Sequence, residues 1–167
     1  MVITDLDIKR TDTEKEAFTQ ISSLDTKTTT NATIKQYNSE KELLTNLPPT
    51  IIKENLKIAF QSEINGFYAT SFEEAFILTN FNNLILQDTI KELKPDIYNS
   101  IVGSNSDQEE IKNNSYKLQR KLAGCKSDFA NKLLYKYITS DVATELPLLP
   151  QYVTEGLTWL STKLNIA

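Results

Sequence analysis

The sequence predicts an α/β, helix-rich fold, and three observations carry that reading. Residues 2–6 and 56–64 have the apolar, partly β-branched pattern of short strands. From Leu84 onward, apolar residues recur at helical spacing. Gly and Pro number only 4 and 5 in 167 residues, too few for the turns of an all-β fold. A chain of this length holds one domain with a full core, or a core plus a helical appendage.

The first strand, Val2-Ile3-Thr4-Asp5-Leu6, leads into Asp7, so two aspartates stand at alternate positions near a strand end. A strand this close to residue 1 has no earlier strand to pair with, so an upstream segment or another subunit is expected to complete it. Residues 9–30 are polar and read as a loop with one weak helix. Asn31 can cap a helix running to Tyr37, and Ser39 with Glu42 has capping-box spacing for another through Asn46, ended by Pro48-Pro49. In the second strand Leu56, Ile58 and Phe60 share one face, with Lys57 and Gln61 on the other, before an Asn65-Gly66 turn.

Ser71 and Glu74 form a capping box for a helix that turns Phe72, Ala75, Phe76 and Leu78 inward. Pro95 starts a short helix through Val102. Residues 103–107 read as a linker, and Asp107 with Glu110 caps a helix carrying Ile111, Leu118 and Leu122 that Ala123-Gly124 stops. Ser127 is placed to cap the next, with Phe129, Ala130, Leu133, Leu134 and Tyr137 as its apolar stripe. Residues 146–150 are extended, and Pro150 suits the first turn of a last helix with Val153, Leu157, Leu160 and Leu164 inward.

Composition excludes several chemistries. With no histidine, His-based metal sites, triads and general bases are ruled out, and any metal falls to oxygen ligands suited to Mg²⁺, Mn²⁺ or Ca²⁺. The single cysteine, Cys125, allows no internal disulfide, has no partner base in sequence, and reads as an incidental thiol in a reducing, cytoplasmic compartment. No apolar run approaches the length of a membrane span, and residue 1 is not followed by a signal peptide. A net charge of −4 argues against coating nucleic acid by bulk charge. Residues 111–137 depart from it, with seven basic residues against one acid, Asp128, so that this segment is either a solvated helix face or a face for phosphate.

Asp5 and Asp7 have the carboxylate chemistry that hard divalent cations prefer, although a D-x-D past a strand is also ordinary turn chemistry. Lys35 can serve as a fixed cation for phosphoryl charge, or as a solvated lysine. Glu73 and Glu74 can add metal oxygen, but both also suit a helix N-terminus. Trp159 and the tyrosines read as packing or interface residues.

Five pieces of sequence occur in order: Val2-Ile-Thr-Asp-Leu-Asp7, Thr30-Asn-Ala-Thr-Ile-Lys35, Thr70-Ser-Phe-Glu-Glu-Ala-Phe76, Lys126-Ser-Asp-Phe-Ala130, and the ending around Pro150 and Trp159. Together they resemble the C-terminal part of the OLD-family (overcoming lysogenization defect) nucleases, whose Toprim domain also occurs in the Gabija antiphage defence nuclease. The resemblance implies a partial Toprim-like α/β region over residues 1–80 and a helical region over 81–167 packed on it. It implies part of a Mg²⁺- or Mn²⁺-dependent DNA endonuclease centre, with Asp5 and Asp7 as metal ligands and Lys35 and Asp5 as catalytic residues. The partners implied are DNA, an ATPase-bearing upstream segment or subunit, and further copies in a homo-oligomer, with no membrane. The family's earlier-strand glutamate and its ATPase module have no counterpart here, and no Gly-rich phosphate loop is visible. The expectation is therefore a fragment, a split subunit completed by a partner, or a degenerate relative. The alternative is a non-catalytic helical interaction module.

Overall fold

The computed structural model describes residues 1–103, 107–140 and 145–164. Over these residues it is α/β and helix-rich, 52% helical with small mixed sheets. Residues 104–106 of the expected linker lie outside the described residues.

Strand β1 (Val2–Ile3) is shorter than the alternation of residues 2–6 suggests, and the two aspartates lie beyond its end. The polar loop carries α1 (Asp12–Glu16), started by a reciprocal capping box between Thr11 and Glu14. Helix α2 (Ala32–Tyr37) begins where Asn31 predicts, its Oδ1 accepting from the Ile34 N–H at 3.1 Å. Residues 39–46 form no helix despite the capping-box spacing. Lys41 takes a φ of +54°, and the Asn38 amide donates to the carbonyls of Lys41 and Leu43, which holds a turn instead.

Sequence reading missed β2 (Thr50–Lys53), whose signal was the β-branched run Thr50-Ile51-Ile52 directly after the two prolines. It pairs antiparallel with β3 (Leu56–Ala59), while β1 joins the other edge of β3 in parallel, with Val2 opposite Ile58 and Ile3 opposite Ala59. The strand expected to continue to residue 64 breaks there. Glu63–Ile64 (β4) and Phe67–Tyr68 (β5) form a separate hairpin, in which Asn65 and Gly66 both take the positive φ of a primed turn.

The helices that follow are α3 (Phe72–Thr79), α4 (Leu84–Leu93), α5 (Pro95–Val102), α6 (Glu109–Asn113), α7 (Ser115–Leu122), α8 (Lys126–Thr139) and α9 (Gln151–Leu164). The single helix expected after Asp107 is two, separated at Asn114, whose amide donates back to the Glu110 carbonyl. Helix α8 starts at Lys126 and its N-cap position makes no side-chain hydrogen bond, so Ser127 does not cap it. Of its expected apolar stripe only Phe129 is buried, and Leu134 and Tyr137 are exposed. Phe72 is likewise exposed, resting against Phe76 with ring centroids 5.9 Å apart.

The central strand explains the remaining differences. Ile58 and Phe60 enter one core with Leu6, Ile34 and Leu44. The opposite face, on which the sequence places Lys57 and Gln61, is covered by α9: Lys57 reaches the Glu155 carbonyl, Ala59 meets Gly156, and the Gln61 amide meets the Tyr152 hydroxyl. Lys57 and Gln61 are therefore buried, at 8% and 1% exposed. Helix α9 sits this close because residue 156 has no side chain; a Cβ there would lie 3.2 Å from Met1 Sδ and 3.4 Å from Ile3 Cγ1. That contact rotates the helix, so Tyr152 and Gly156 face inward while Leu157 and Leu164 are exposed.

Helix α3 joins the cores, sending Ile77 into the cluster of α4 to α8 and Ala75 and Leu78 into the cluster with Ala59 and Tyr152. At its start Glu74 and Arg10 form a buried ion pair at 3.6 Å. Glu74 also accepts from the Thr70 N–H at 2.7 Å, and Arg10 donates to Thr70 Oγ1 and the Thr19 carbonyl and stacks 3.5 Å over the Tyr116 ring. Burial outweighs Arg10 and Thr70 and lifts Glu74 from 4.5 to about 7; the same burial lowers Arg10.

Two outcomes follow from this packing. Because Glu74 binds its proton more tightly folded than unfolded, its contribution favours folding below pH 4.5 and is lost as pH rises through about 7. Urea unfolding at pH 5.5 and 7.5 is expected to show that fall in the parent and a flatter dependence in Glu74→Gln. Gly156→Leu is expected to cost about 1–3 kcal/mol by overpacking against β1, measured by the same unfolding assay at one pH.

Candidate active site

The chain beyond β1 is held by the side chains of Gln61 and Asn31 and by the backbone of Ala59, Thr30 and Thr70. Thr4 N–H continues the strand pairing to the Ala59 carbonyl at 3.0 Å, and Leu6 N–H then donates to Gln61 Oε1 at 2.7 Å. The other end of that buried amide donates to Asp5 Oδ1 at 2.6 Å and to the Tyr152 hydroxyl at 3.3 Å. Asn31, besides capping α2, donates to Thr4 Oγ1, to the Asp5 carbonyl and to Asp7 Oδ2, at 2.7, 2.8 and 3.4 Å. Asp7 takes a φ of +47°, a left-handed conformation that aspartate tolerates better than most side chains. Its N–H donates to the Thr70 carbonyl and its own carbonyl accepts from Thr30 N–H, so both flanking loops fix it.

The electrostatics show what else faces this turn. Burial raises Asp5 above the usual carboxylate range; the Gln61 hydrogen bond opposes this, the charges of Asp7 and Glu73 add to it, and Lys126 works against them. Burial also pushes Glu73 up, but a 2.7 Å ion pair with Lys126 and hydrogen bonds at the start of α3 leave it below its ordinary value. Tyr152 is raised, first by burial and then by the charges of Asp5 and Glu73. Asp5, Asp7, Glu73, Lys126 and Tyr152 thus share one electrostatic neighbourhood, although they come from both ends and the middle of the chain. Beside Glu73 and Lys126 opens a mainly apolar groove of about 780 Å³, with Phe72, Phe76 and Tyr137 among its walls.

The sequence-derived candidates are distributed unevenly. Asp5 and Asp7 stand together on the one turn. The Lys35 ammonium is half-exposed and pairs with Glu42 at 3.5 Å, and none of its hydrogen bonds or ion pairs among the described residues reaches either aspartate. Lys126 and Gln61, neither given a site role from sequence, are the residues the fold brings to Asp5. The Lys126 signal was present in the Lys-Ser-Asp-Phe-Ala piece; Gln61 left none, because its role depends on β3 lying beside β1. Glu74 is withdrawn into its pair with Arg10.

A hard cation needs several oxygen donors, and two carboxylates with a third acidic field around a desolvated Asp5 supply part of such a set. Among the described residues no group of three or more His, Cys, Asp or Glu is placed to hold a metal ion. The donor set fits a divalent ion in chemistry and is short in number.

By sequence the chain is similar to a nuclease of the OLD-family-like Gabija type, of which it matches the C-terminal part. It is 53% identical over 166 residues to a protein of Bacillus cereus (strain HuB5-5) named Endonuclease GajA. That match covers 99% of this chain and 24% of the relative, so the chain spans about a quarter of the relative's length. No protein-family model and no solved structure matches the chain. Among the described residues no helix is long and apolar enough to cross a membrane.

Asn31→Ala is expected to cost about 1–2 kcal/mol in urea unfolding, because it removes both the α2 cap and the clamp on the aspartate turn. Asn31→Asp keeps the capping oxygen but loses the amide donor to Asp7, and is expected to recover only part of that loss.

Proposed function

We propose that the chain forms part of a divalent-metal-dependent DNA endonuclease centre that hydrolyses phosphodiester bonds. The observation that carries this reading is the clamped Asp5–Asp7 turn, with Glu73 and Lys126 brought to it from distant sequence. Endonuclease GajA, by its name, cuts nucleic acid, and the identity spans nearly all of this chain. In this reading Asp5 and Asp7 hold Mg²⁺ or Mn²⁺, which when bound polarises a phosphoryl oxygen and acidifies a water. Gln61 holds the Asp5 carboxylate in place, and Lys126 is the cation set beside the phosphate. Lys35, on the helix that Asn31 caps, is the lysine the family resemblance favours; the pair with Glu73 and the charge it exerts on Asp5 favour Lys126.

The same reading takes residues 1–80 as a Toprim-like region and 81–167 as a helical region packed on it. It has the remaining ligands and an ATPase supplied by a longer polypeptide or a partner, working as a homo-oligomer in cytoplasmic antiphage defence. A second reading, a non-catalytic interaction module, is favoured by the exposed Leu134, Tyr135, Ile138 and Leu148.

Calorimetric titration with Mn²⁺ separates the two. Binding that is lost in Asp5→Asn and Asp7→Asn supports the metal centre; binding equal in all three proteins, or absent from the parent, leaves the interaction module. In plasmid cleavage with Mn²⁺ and the ATPase-bearing partner, Lys126→Ala is expected to lose about 100-fold or more of the rate and Lys35→Ala much less.

A further inference from the structure

The basic stretch of residues 111–137 is not uniformly available, and its ion pairs show which part is. Lys112 pairs with Glu109, and Lys132 and Lys136 both pair with Glu92. Lys126 pairs with Glu73. Among the described residues, Lys117, Arg120 and Lys121 have no acidic partner; the Lys121 ammonium lies 5.2 Å over the Phe18 ring. All three stand on α7, at positions i, i+3 and i+4, and so on one face of the helix. The other face is used for packing, with Tyr116, Leu118, Gln119 and Leu122 buried. From Ser115 to Lys126 the sequence contains no acid, in a chain whose net charge is −4.

The placement of this face matters as much as its charge. Helix α7 packs against α3, the helix whose first turn carries Glu73. Beyond α7 the chain passes through a single 3₁₀ turn, Ala123–Cys125, to Lys126 at the Asp5–Glu73 neighbourhood. One turn of helix advances about 5.4 Å, so Lys117 and Lys121 can address neighbouring phosphates of one strand.

We infer that the outer face of α7, with Lys117, Arg120 and Lys121, is a docking surface for the phosphate backbone of duplex DNA that leads the strand to the Asp5–Lys126 centre. This inference rests on the nuclease reading above, and it assigns the face that positions substrate, not the chemistry. Contacts of this kind carry no base preference and are screened by salt, because binding releases counterions from the duplex.

The test measures binding of the full chain to a fluorescent 20-base-pair duplex by anisotropy in EDTA, across a salt series. Lys117→Glu/Arg120→Glu is expected to bind at least tenfold more weakly near 100 mM salt, with a log–log salt slope shallower by about 2. Lys117→Arg/Arg120→Lys is expected to bind as the parent does, and a matching urea midpoint shows that the charge-reversed variant is folded. A folded charge-reversed variant with parental affinity and slope overturns the inference. A parent that binds no duplex, yet binds Mn²⁺ through Asp5, overturns it too while leaving the metal centre standing. Mn²⁺ binding that is absent from the parent in the titration above, or equal in the parent and both aspartate variants, instead removes the nuclease reading itself.

Discussion

The buried pair of Arg10 and Glu74 is the constraint on which the rest of the arrangement depends. Neither charge can be left unpaired away from water, and a guanidinium needs several acceptors to be satisfied. Arg10 finds two in Thr70 and Thr19, lies 3.6 Å from the Glu74 carboxylate and on the Tyr116 ring, and its Nε has no hydrogen-bond partner among the described residues. The requirement pulls four segments together: the start of the polar loop at Arg10, its middle at Thr19, the first turn of α3, and α7. Because Thr70 serves this pair and also accepts from the Asp7 N–H, the packing of charges in the core sets where the aspartate turn lies.

A second arrangement of polar groups is built outward from that one. Gln61, 1% exposed, links Leu6, Asp5 and Tyr152 through a single amide, so β1, β3 and α9 share one hydrogen-bond network. The field there is negative where Asp5, Asp7 and Glu73 face one another, and Lys126 is the positive charge that answers it. A carboxylate held partly out of water among like charges gains from a cation, which is the physical basis of the proposed metal role. The proposed docking face is a separate matter of supply: α8 holds Lys126 on Glu73 and Lys132 and Lys136 on Glu92, while among the described residues Lys117, Arg120 and Lys121 of α7 have no acidic partner.

Much of the local structure was legible. Asn31 and Ser71 each accept from a backbone N–H at a helix start, the Asn65-Gly66 turn forms, and Pro95 opens α5, because these effects act within a few residues. The failures have the opposite character. The Ser39–Glu42 capping box lost to Asn38, which offered the backbone a turn. The inward faces of α8 and α9 were misjudged because apolar spacing marks a stripe but not what covers it. In α9 the closest approach belongs to a residue with no side chain, which no hydrophobic pattern can mark.

For the candidate site the division is the same. The sequence by itself determined the chemistry on offer: oxygen ligands with no histidine, a paired D-x-D after a β-branched run, and a basic segment in an acidic chain. It determined the starts of α2 and α3 too, since a cap is a contact between residues three apart. Only the tertiary structure decided which cation's charge acts on Asp5, which lysines have no acidic partner among the described residues, and that Gln61 is the anchor of Asp5. Those facts depend on contacts across 56 residues between Asp5 and Gln61 and on a parallel strand pair. Such contacts are fixed by the joint burial of distant segments, for which a linear sequence carries no local signal.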